Sequence, residues 1–459
     1  MRRRVVALAT TARLGDTRVL RRMWNSARRR LTGRIPAPDF SPELVARLAD
    51  ERADVLLDLV CDLREPWWRR RPCALALRGR VPPAGVPRLL ARVCDVKDVA
   101  EVRRAILEAL ADAELGPHAG ELLAWLRAAR EPEVGHDMLP AILHARARLG
   151  DASAAAPLAE LAADPWTHRR TAGEAAVDAL IAAVGLDAVL AALEAADLPA
   201  LAFTAATPAR RLLGVRLLDR SGGDIVPALA DADVIVARQA HLLLVGSSRP
   251  DDALWAVVAA HGPAAAAWTS DECPRGPAGA CMWALCVLHA RGRDIGDAWR
   301  ALGSPRVSLP IVPEDVRRAI VAEYAPGQRQ TDPRWLLEAA VGQPFVPPDE
   351  SALLAQAHAA LAAAGLEPRP PRSAGELHNQ GDGTYYEIAF AGGAVSVSAL
   401  GPFVAFEDDD RRARTALVAA GFRVIDPALA GCEVTGLHVY FFGRRDPLCV
   451  GDLLFYWQD

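Results

Sequence analysis

The sequence predicts a mainly α protein: an α-solenoid of stacked helix pairs, followed by a small α+β domain. Three observations support this prediction. Apolar residues make up 51% of the 459 residues and recur at helical spacing along most of the chain. Short motifs recur through the first three quarters at intervals of roughly 30 to 45 residues. The aromatic composition then changes, because four of the five tyrosines and seven of the ten phenylalanines lie in residues 375–459, whereas ten of the eleven tryptophans precede residue 340.

The clearest repeat is the run Ala-Arg-Leu-Gly-Asp, which begins at residue 12 and again at residue 147. In both places a stretch with helical spacing follows. Glycine after leucine is typical of a helix that ends in the left-handed conformation, and the aspartate is a good cap for the next helix. The run therefore predicts a turn between two helices.

A second motif is typical of the helix that follows such a turn. It consists of an aspartate, then Val-Arg-Arg-Ala or a close variant, then an apolar helix. The segments that carry it are CDVKDVAEVRRAILEALADAE (94–114), LADADVIVARQAHLLLVG (229–246), with Arg238 and Ala240, and VPEDVRRAIVAEY (312–324). LAADPWTHRRTAGEAAVDALIAAVG (161–185) is a further variant, with Pro165 in its first turn.

Together these motifs resemble the HEAT-repeat family, including its short bacterial variants, over about residues 5–345. The residues that carry the resemblance are Leu14–Asp16, Leu149–Asp151 and the Asp…Val-Arg…Ala helices. The resemblance implies a stack of helix pairs in which each repeat buries its apolar face on its neighbours. It also implies that the recurring aspartates and arginines are structural contacts between repeats, and that a concave face binds proteins or nucleic acids.

The repeat pattern is interrupted twice and then ends. Residues 262–282 are rich in glycine and proline and are expected to form a loop, and residues 303–313 form a second break. A helix over 351–365 and a proline-rich link over 366–373 follow. The predicted domains are therefore a solenoid over 1–345, a helix and linker over 346–374, and an α+β domain over 375–459.

The last segment has the pattern of a small α+β domain of about 85 residues. TYYEIAF, AVSVSAL and PFVAF read as strands, and residues 407–421 read as a helix with acidic residues at its start and Gly421 after its end. FRVID and EVTGLHVYFFG read as further strands. The terminal run VGDLLFYWQD is expected to be the last core element rather than a frayed tail.

Composition excludes several kinds of chemistry. Lys97 is the only lysine, so 52 of the 53 basic residues are arginine, and it follows no glycine-rich loop. A P-loop and a protein-kinase fold are therefore excluded, and a pyridoxal Schiff base could use only Lys97. The chain also lacks GxSxG, HExxH and GxGxxG. We assign no catalytic residue from the sequence.

Cysteine usage and hydropathy indicate a compartment. The eight cysteines are scattered without a CxxC, which indicates free thiols. No apolar run approaches the roughly 20 residues of a membrane span, and Arg13 closes the short apolar stretch at the start. We expect a soluble cytoplasmic protein, and the use of arginine in place of lysine suggests a bacterial source.

No metal or cofactor is expected. Cys273, Cys281, Cys286 and His289 lie close in sequence, but only the last two have the short spacing that zinc ligands prefer, so buried thiols are the simpler interpretation. In the C-terminal domain an acid–base cluster of His378, Asp382, Glu387 and His438 is the catalytic alternative. The GDGTYY run around Asp382 is, however, an ordinary turn signal.

Two arginine-rich segments are candidate binding surfaces. Trp67, Trp68, Arg69, Arg70 and Arg71 combine stacking rings with cations, which suits nucleic acid or an acidic peptide. The alternative is a repeat junction whose tryptophans pack inward. The first 35 residues contain 11 arginines and one acid, Asp16. They could recruit nucleic acid or an acidic partner, or they could form the cationic face of a capping repeat.

We therefore expect a non-enzymatic scaffold that binds a protein or peptide on its repeat surface. An immunity-type role, in which the solenoid sequesters a toxin, fits this build without specific support from any motif. The alternative is a nucleic-acid-binding enzyme of the HEAT-like alkylpurine DNA glycosylase type, although no motif of that branch aligns with this chain. The charge of the concave face discriminates between them: a continuous basic face favours nucleic acid, and a mixed or acidic face favours protein.

Overall fold

The computed structural model describes residues 41–129, 138–326, 330–342, 345–346, 348–379, 381–408, 410–439 and 447–458. The Leu14–Asp16 motif and the basic first 35 residues lie outside this part. The described residues are mainly helical, with 23 α-helices, and their strands begin only at Arg372. The predicted combination of a mainly helical chain with a small C-terminal strand region is confirmed. By their internal contacts the residues form two compact units, Met1–Ala192 and Leu193–Asp459.

Ten helices are described in the first unit. They are α1 (Pro42–Leu48), α2 (Ala53–Cys61), α3 (Trp67–Ala76), α4 (Val86–Cys94), α5 (Ala100–Ala111), α6 (Ala119–Ala128), α7 (Leu139–Arg148), α8 (Ala155–Ala162), α9 (Thr167–Val184) and α10 (Leu186–Ala192). Helices α2, α4, α6 and α8 each pack on the helix that follows, and the second helices α3, α5, α7 and α9 contact one another in that order. An apolar core that includes Leu56, Ile106 and Ile142 continues along this series.

The predicted turn at residues 149–151 is confirmed in detail. Gly150, which follows the end of α7, has φ +71°, a left-handed conformation that glycine adopts without strain. The Asp151 carboxylate then accepts a hydrogen bond from the Ser153 amide at 3.2 Å and so caps the next turn. This hydrogen bond satisfies a backbone amide that would otherwise have no partner at the start of the turn.

An arginine near the start of α3 and another near the start of α5 are buried. Arg70 Nε donates to the Val60 carbonyl at 2.8 Å, and Arg103 Nε donates to the Val93 carbonyl at 2.8 Å, in each case ten residues back along the chain. Arg70 also binds both oxygens of Asp98, at 2.8 and 2.5 Å. Each arginine therefore links the start of a second helix to the end of the helix before it, and Arg70 also reaches the start of α5.

Thirteen helices are described in the second unit. They are α11 (Leu198–Phe203), α12 (Pro208–Arg220), α13 (Val234–Val245), α14 (Asp251–Ala266), α15 (Gly276–Ala290), α16 (Gly296–Ala301), α17 (Glu314–Tyr324), α18 (Pro333–Val341), α19 (Glu350–Ala363), α20 (Ala374–His378), α21 (Arg411–Ala419), α22 (Pro427–Ala430) and α23 (Val450–Leu454). Here α11 packs on α12 and α14 on α15, and the series α12, α13, α15 and α18 is in contact in that order.

The loop predicted over 262–282 is shorter than expected. Helix α14 continues to Ala266 and α15 begins at Gly276, so only residues 267–275 lie between them. The prediction overestimated the loop because alanines continue the first helix, and Pro277 occupies the first turn of the second, where proline is tolerated. The break at 303–313 contains no helix or strand, as expected.

The strands form one main sheet and two small ladders. The sheet has the order β1-β3-β4-β5-β6, from Arg372–Ser373, Tyr385–Phe390, Gly393–Ser398, Phe403–Phe406 and Arg423–Val424, and is antiparallel except for the parallel β5–β6 pair. Strand β2 (Asp382–Gly383) pairs with β9 (Trp457–Gln458), and β7 (Glu433–Val434) pairs with β8 (Leu448–Cys449). One face of the sheet packs on α19 and α21 through residues such as Ile388 and Val395.

A second apolar cluster connects the strand region with α17 and α18. It contains Ile320 and Trp335 from these helices, together with Phe403, Leu453 and Leu454. The expected core role of the C-terminal run is confirmed, since α23 and β9 are formed there and both leucines are fully buried. The predicted domain boundaries at residues 345 and 374 imply that three parts of the chain fold separately, and this stays a prediction.

Among the described helices none alone has the length and apolar composition to cross a membrane. Helices α9 and α10 meet those criteria only when joined, and they are bent by 114° at their junction.

Candidate binding groove

Three second helices of the first unit, α5, α7 and α9, line a groove of about 510 Å³ together with Arg78 from the turn after α3. Its lining residues recur at helical spacing, with Arg104, Leu107, Glu108 and Ala111 on α5 and a similar row on α7. Residues at such spacing share one face of a helix. The groove is thus a consequence of stacking equivalent helix faces.

The floor of the groove is aliphatic. Leu107 and Ala145 are buried there, while Ala111, Ala141 and Ala172 are half-buried. Alanine fills little volume, so a row of alanines leaves space that larger side chains would occupy. This floor favours apolar groups of a ligand.

The rim of the groove carries more arginines than acids. Arg78 Nε donates to the Asp112 carboxylate at 3.2 Å, and Arg78 lies 3.7 Å from Glu108. Arg148 also binds Asp112. Arg104 lies in the lining, and the charge of Arg71 acts on Glu108. Arg78, Arg104 and Arg148 thus face the carboxylates of Glu108 and Asp112, which leaves a small surplus of positive charge.

The electrostatics of the groove differ from those of an open surface. Burial raises the pKa of Glu108, and the charges of Arg78, Arg104 and Arg71 oppose this effect. Burial, together with the charges of Arg148 and Arg78, lowers the pKa of His144. His144 is therefore neutral at pH 7 and offers one donor and one acceptor to a ligand.

The far end of the groove is formed by the first turn of α9. His168 is exposed there, and its ring lies 6.3 Å from that of Trp166, whose exposed fraction is 56%. Arg169 is buried and pairs with Asp164 at 2.9 Å. The exposed indole adds an aromatic surface beside the rim.

The five residues predicted as a binding surface begin α3 and point in different directions. Arg70 is 3% exposed and held by Val60 and Asp98, whereas Arg69 is exposed and pairs with Glu65 at 2.9 Å. Trp67 and Trp68 are half-buried, and Trp67 packs against the core. Arg71 acts on Glu108 in the groove. The structure therefore places the five on different sides of one helix and brings Arg71 alone among them near the groove.

Sequence reasoning did not single out Arg78, Arg104, His144 or His168. A signal for one of them was present, because Arg104 follows Arg103, a buried arginine of the second motif, and a one-residue step turns a helical side chain by about 100°. Arg71 follows the buried Arg70 in the same way. The first arginine points inward to the preceding helix, and the second points toward the groove. The remaining lining residues had no comparable motif.

The other sequence candidates lie elsewhere. Burial raises the pKa of Cys273 to about 12 and that of Cys281 to about 11, so both are protonated thiols. Across the described ranges no cluster of His, Cys, Asp or Glu could hold a metal ion. The His378 Nε2 atom lies 3.2 Å from the Tyr385 hydroxyl, while the backbone amide of His438 donates to Gln330 at 2.6 Å.

The chain matches no known family model, and neither the curated proteins nor the solved structures contain one with significant similarity to it. The groove is therefore interpreted from its own chemistry.

Proposed function

We propose that this chain is a binding protein built from HEAT-like repeats, and that the groove on α5, α7 and α9 takes an acidic segment of a protein partner. The observation that carries the proposal is the combination of an aliphatic floor with a rim that holds surplus guanidinium groups. The protein acts as a scaffold or an immunity-type inhibitor rather than an enzyme, and it works in the bacterial cytoplasm.

Three features support the repeat interpretation. Consecutive helices pair, and their second members contact one another in order within each unit. The buried arginine bond to the preceding helix occurs at Arg70 and again at Arg103. Neighbour-to-neighbour packing of this kind is the physical basis of a solenoid.

Arginine chemistry supports an anionic partner. A guanidinium group binds a carboxylate through two parallel hydrogen bonds, and partial burial strengthens them. Glu108 and Asp112 engage Arg78 and Arg148, and Arg104 in the lining supplies a further guanidinium group for an acidic residue of the partner. A helical segment with aspartate or glutamate beside small aliphatic side chains matches both rim and floor.

The groove suits a peptide better than a nucleic acid. A volume near 510 Å³ is that of a pocket for a few side chains. Phosphates that follow the groove would meet the carboxylates of Glu108 and Asp112, and such contacts are repulsive. The rim of the groove carries both positive and negative charges, and a mixed charge favours a protein partner over a nucleic acid. The arginine-rich N-terminal region remains the alternative route to nucleic acid.

The test is a binding titration of the full chain with three labelled probes. These are a helical peptide of alternating Glu and Ala, the same peptide with Gln for Glu, and a single-stranded DNA of equal length. The groove variant is R78Q/R104Q/R148Q. The matched control, R52Q/R64Q/R88Q, alters three arginines of the same unit that also pair with acids.

We expect the acidic peptide to bind more tightly than the Gln peptide and the groove variant to weaken it roughly tenfold or more, because three charge-assisted contacts are lost. The control should leave binding unchanged. Equal weakening by both variants, or DNA binding that is tighter than acidic-peptide binding and insensitive to the groove variant, would contradict the proposal.

A further inference from the structure

A polar cavity of about 460 Å³ lies between two loops of the second unit. Residues 268–271, from the loop that joins α14 to α15, line one side, and residues 303–310, from the loop that joins α16 to α17, line the other. These loops belong to the two segments that interrupt the repeat pattern in the sequence. Loops on a regular scaffold often carry binding sites. The cavity is therefore a candidate for a second site.

The loop before α17 changes the surroundings of a repeated arginine. Arg70, Arg103 and Arg317 are each the fourth residue of their helices. The first two donate to the carbonyl oxygen ten residues earlier, at the end of the preceding helix. The residue ten positions before Arg317 is Val307, which lies in a loop without helix or strand. Arg317 therefore has no helix end at that position and takes a different partner.

One nitrogen of Arg317 stays available to the cavity. Arg317 is 6% exposed, and its Nε and Nη2 atoms donate to the two carboxylate oxygens of Glu338 at 2.7 and 2.6 Å. Its Nη1 atom has no hydrogen-bond partner among the described residues but keeps contact with solvent, and Arg317 lines the cavity. A donor on a buried group costs free energy unless water or a ligand accepts its hydrogen bond. The cavity thus contains a fixed donor for a ligand.

The opposite wall is held in place by hydrogen bonds. Arg334 is 3% exposed and donates to three successive carbonyl oxygens, those of residues 270–272, at 3.0 to 3.1 Å. The indole nitrogen of Trp268 donates to the Glu272 carbonyl at 3.3 Å. These bonds fix the loop and the half-buried ring of Trp268 at the cavity. A wall that is ordered before binding lowers the entropic cost of binding.

The cavity has no surplus of positive charge. Each of the three arginines in its lining has a carboxylate partner: Arg317 pairs with Glu338 at 2.6 Å, Arg334 with Asp332 at 2.7 Å, and Arg306 with Glu314 at 3.4 Å. Asp271 also lines the cavity and is exposed. An anion therefore finds no uncompensated cation, and a single exposed carboxylate attracts a cation only weakly.

Hydrogen-bonding groups remain after these pairs are formed. Thr269, Ser304 and Ser308 line the cavity, and their hydroxyls make no hydrogen bond within the part of the chain that the structure describes. Each hydroxyl donates one hydrogen bond and accepts up to two. Together with Nη1 of Arg317 they offer both donors and acceptors. The ring of Trp268 adds an apolar face beside them.

We propose that this cavity binds a neutral ligand rich in hydroxyl groups, of the size and chemistry of a monosaccharide. A sugar hydroxyl accepts from the Arg317 guanidinium and donates to a serine or threonine oxygen. The C–H face of a sugar ring matches the apolar face of Trp268. The cavity volume lies within the range of small-molecule sites, about 300–1,000 Å³. This site is separate from the groove in the first unit and does not depend on the proposed function.

The experiment is a calorimetric titration of the full chain with glucose, galactose and mannose, and with inorganic phosphate as the anionic probe. T269V/S308A removes two hydroxyls of the lining. R317M/E338M removes the Nη1 donor together with its carboxylate partner, so that no unpaired charge is left buried. The matched control, T415V/S351A, makes the same kinds of change at exposed positions elsewhere in the unit. Where R317M/E338M lowers the thermal unfolding midpoint, T269V/S308A decides.

We expect at least one hexose to bind more tightly than phosphate. T269V/S308A should weaken it roughly fivefold or more, and R317M/E338M roughly tenfold or more, because hydrogen bonds to the ligand are lost. The control and the groove variant R78Q/R104Q/R148Q should leave hexose binding unchanged. The proposal is overturned if no hexose binds at tens of millimolar, if phosphate binds more tightly, or if the control weakens binding as much as T269V/S308A.

Discussion

Burial separates the arginines of this chain into two roles. Arg70 and Arg317 are buried and satisfied, the first by Val60 and Asp98 and the second by Glu338 at 2.7 and 2.6 Å. Arg78 and Arg104 line the groove instead. Removing one partner of a buried pair leaves an uncompensated charge, whereas removing a rim arginine costs little in folding. A stability measurement therefore distinguishes the two roles.

His241 is a buried residue whose Nδ1 atom has no hydrogen-bond partner among the described atoms. Its ring is 2% exposed and lies 5.0 Å from that of Trp283, and neither its Nδ1 atom nor the indole nitrogen of Trp283 has a partner there. Burial, with a contribution from the charge of Arg238, lowers the pKa of His241 to about 4. The native state therefore holds this imidazole neutral.

We predict that H241F reduces the loss of stability in acid. In the unfolded chain His241 takes up a proton near pH 6.5, whereas in the native protein it does so only near pH 4. The contribution of the neutral imidazole to the free energy of unfolding is therefore complete above pH 6.5 and is lost as pH falls toward 4. Between pH 7 and pH 5 the wild-type free energy of unfolding should fall by about 2 kcal/mol more than that of the variant. Urea unfolding at both pH values measures this, and equal pH dependence of the two proteins would contradict it.

At the scale of elements, glycines permit close approach within helix pairs. A Cβ on Gly173 of α9 would lie 2.6 Å from the Ala162 amide, and one on Gly214 of α12 would lie 2.5 Å from the Ala202 amide. Both contacts involve the end of the first helix of a pair. The same packing geometry therefore occurs in α8–α9 and in α11–α12.

We predict that G214A destabilises the second unit. Alanine is the better helix former by about 1 kcal/mol, but its Cβ would overlap backbone atoms that cannot move as a side chain does. Overpacking of this kind typically costs about 1–3 kcal/mol, so we expect a net loss. The control is G262A in α14, where the nearest atom to a Cβ is 3.7 Å away and a neutral or stabilising effect is expected. The thermal unfolding midpoints of both variants test this prediction. A G214A variant with a higher midpoint than the wild type would contradict the packing argument.

The sequence predicted helices and turns well where the signals are local. The turn at Gly150 and Asp151 could be read directly, because glycine and aspartate satisfy local backbone requirements there. The end of α14 and the start of α15 could not be predicted from the sequence, because glycine and proline occur both in loops and in the first turn of helices. The groove was also unpredictable, because its residues come from three helices and the turn after α3, and the alignment of these elements depends on packing.

At the scale of the whole molecule, the domain boundary predicted at residue 345 separates residues that pack together in one apolar cluster. Trp335 of α18 packs with Leu453 and Leu454, and the Tyr324 hydroxyl donates to the Leu453 carbonyl at 2.6 Å. The indole nitrogen of Trp335 donates to the Thr435 carbonyl at 2.9 Å. Composition changes near residue 375, but composition does not report which helices complete the core of the strands.

We predict that deleting residues 451–459 unfolds α17 and α18 together with the strand region. The deletion removes three buried side chains, Leu453, Leu454 and Tyr456. Each typically contributes roughly 2–5 kcal/mol, so the sum approaches the roughly 5–15 kcal/mol that stabilises a domain. Hydrogen exchange should show lost protection in 314–341 and 385–406, with residues 41–192 unchanged.

Two results would contradict this prediction. If residues 314–341 stay protected while the strands unfold, the strand region folds separately, as the predicted boundary at 345 implies. If residues 375–439 stay protected after the deletion, the C-terminal run is not part of the core.

The most direct test of the account is hydrogen exchange of the full chain with and without the acidic Glu-Ala peptide, because it locates the bound surface without mutation. We predict added protection in 67–78, 100–111, 139–148 and 167–175, the segments that form the groove and its rim. Protection confined to other segments, or none at peptide concentrations that saturate binding, would contradict the assignment of this groove as the partner site.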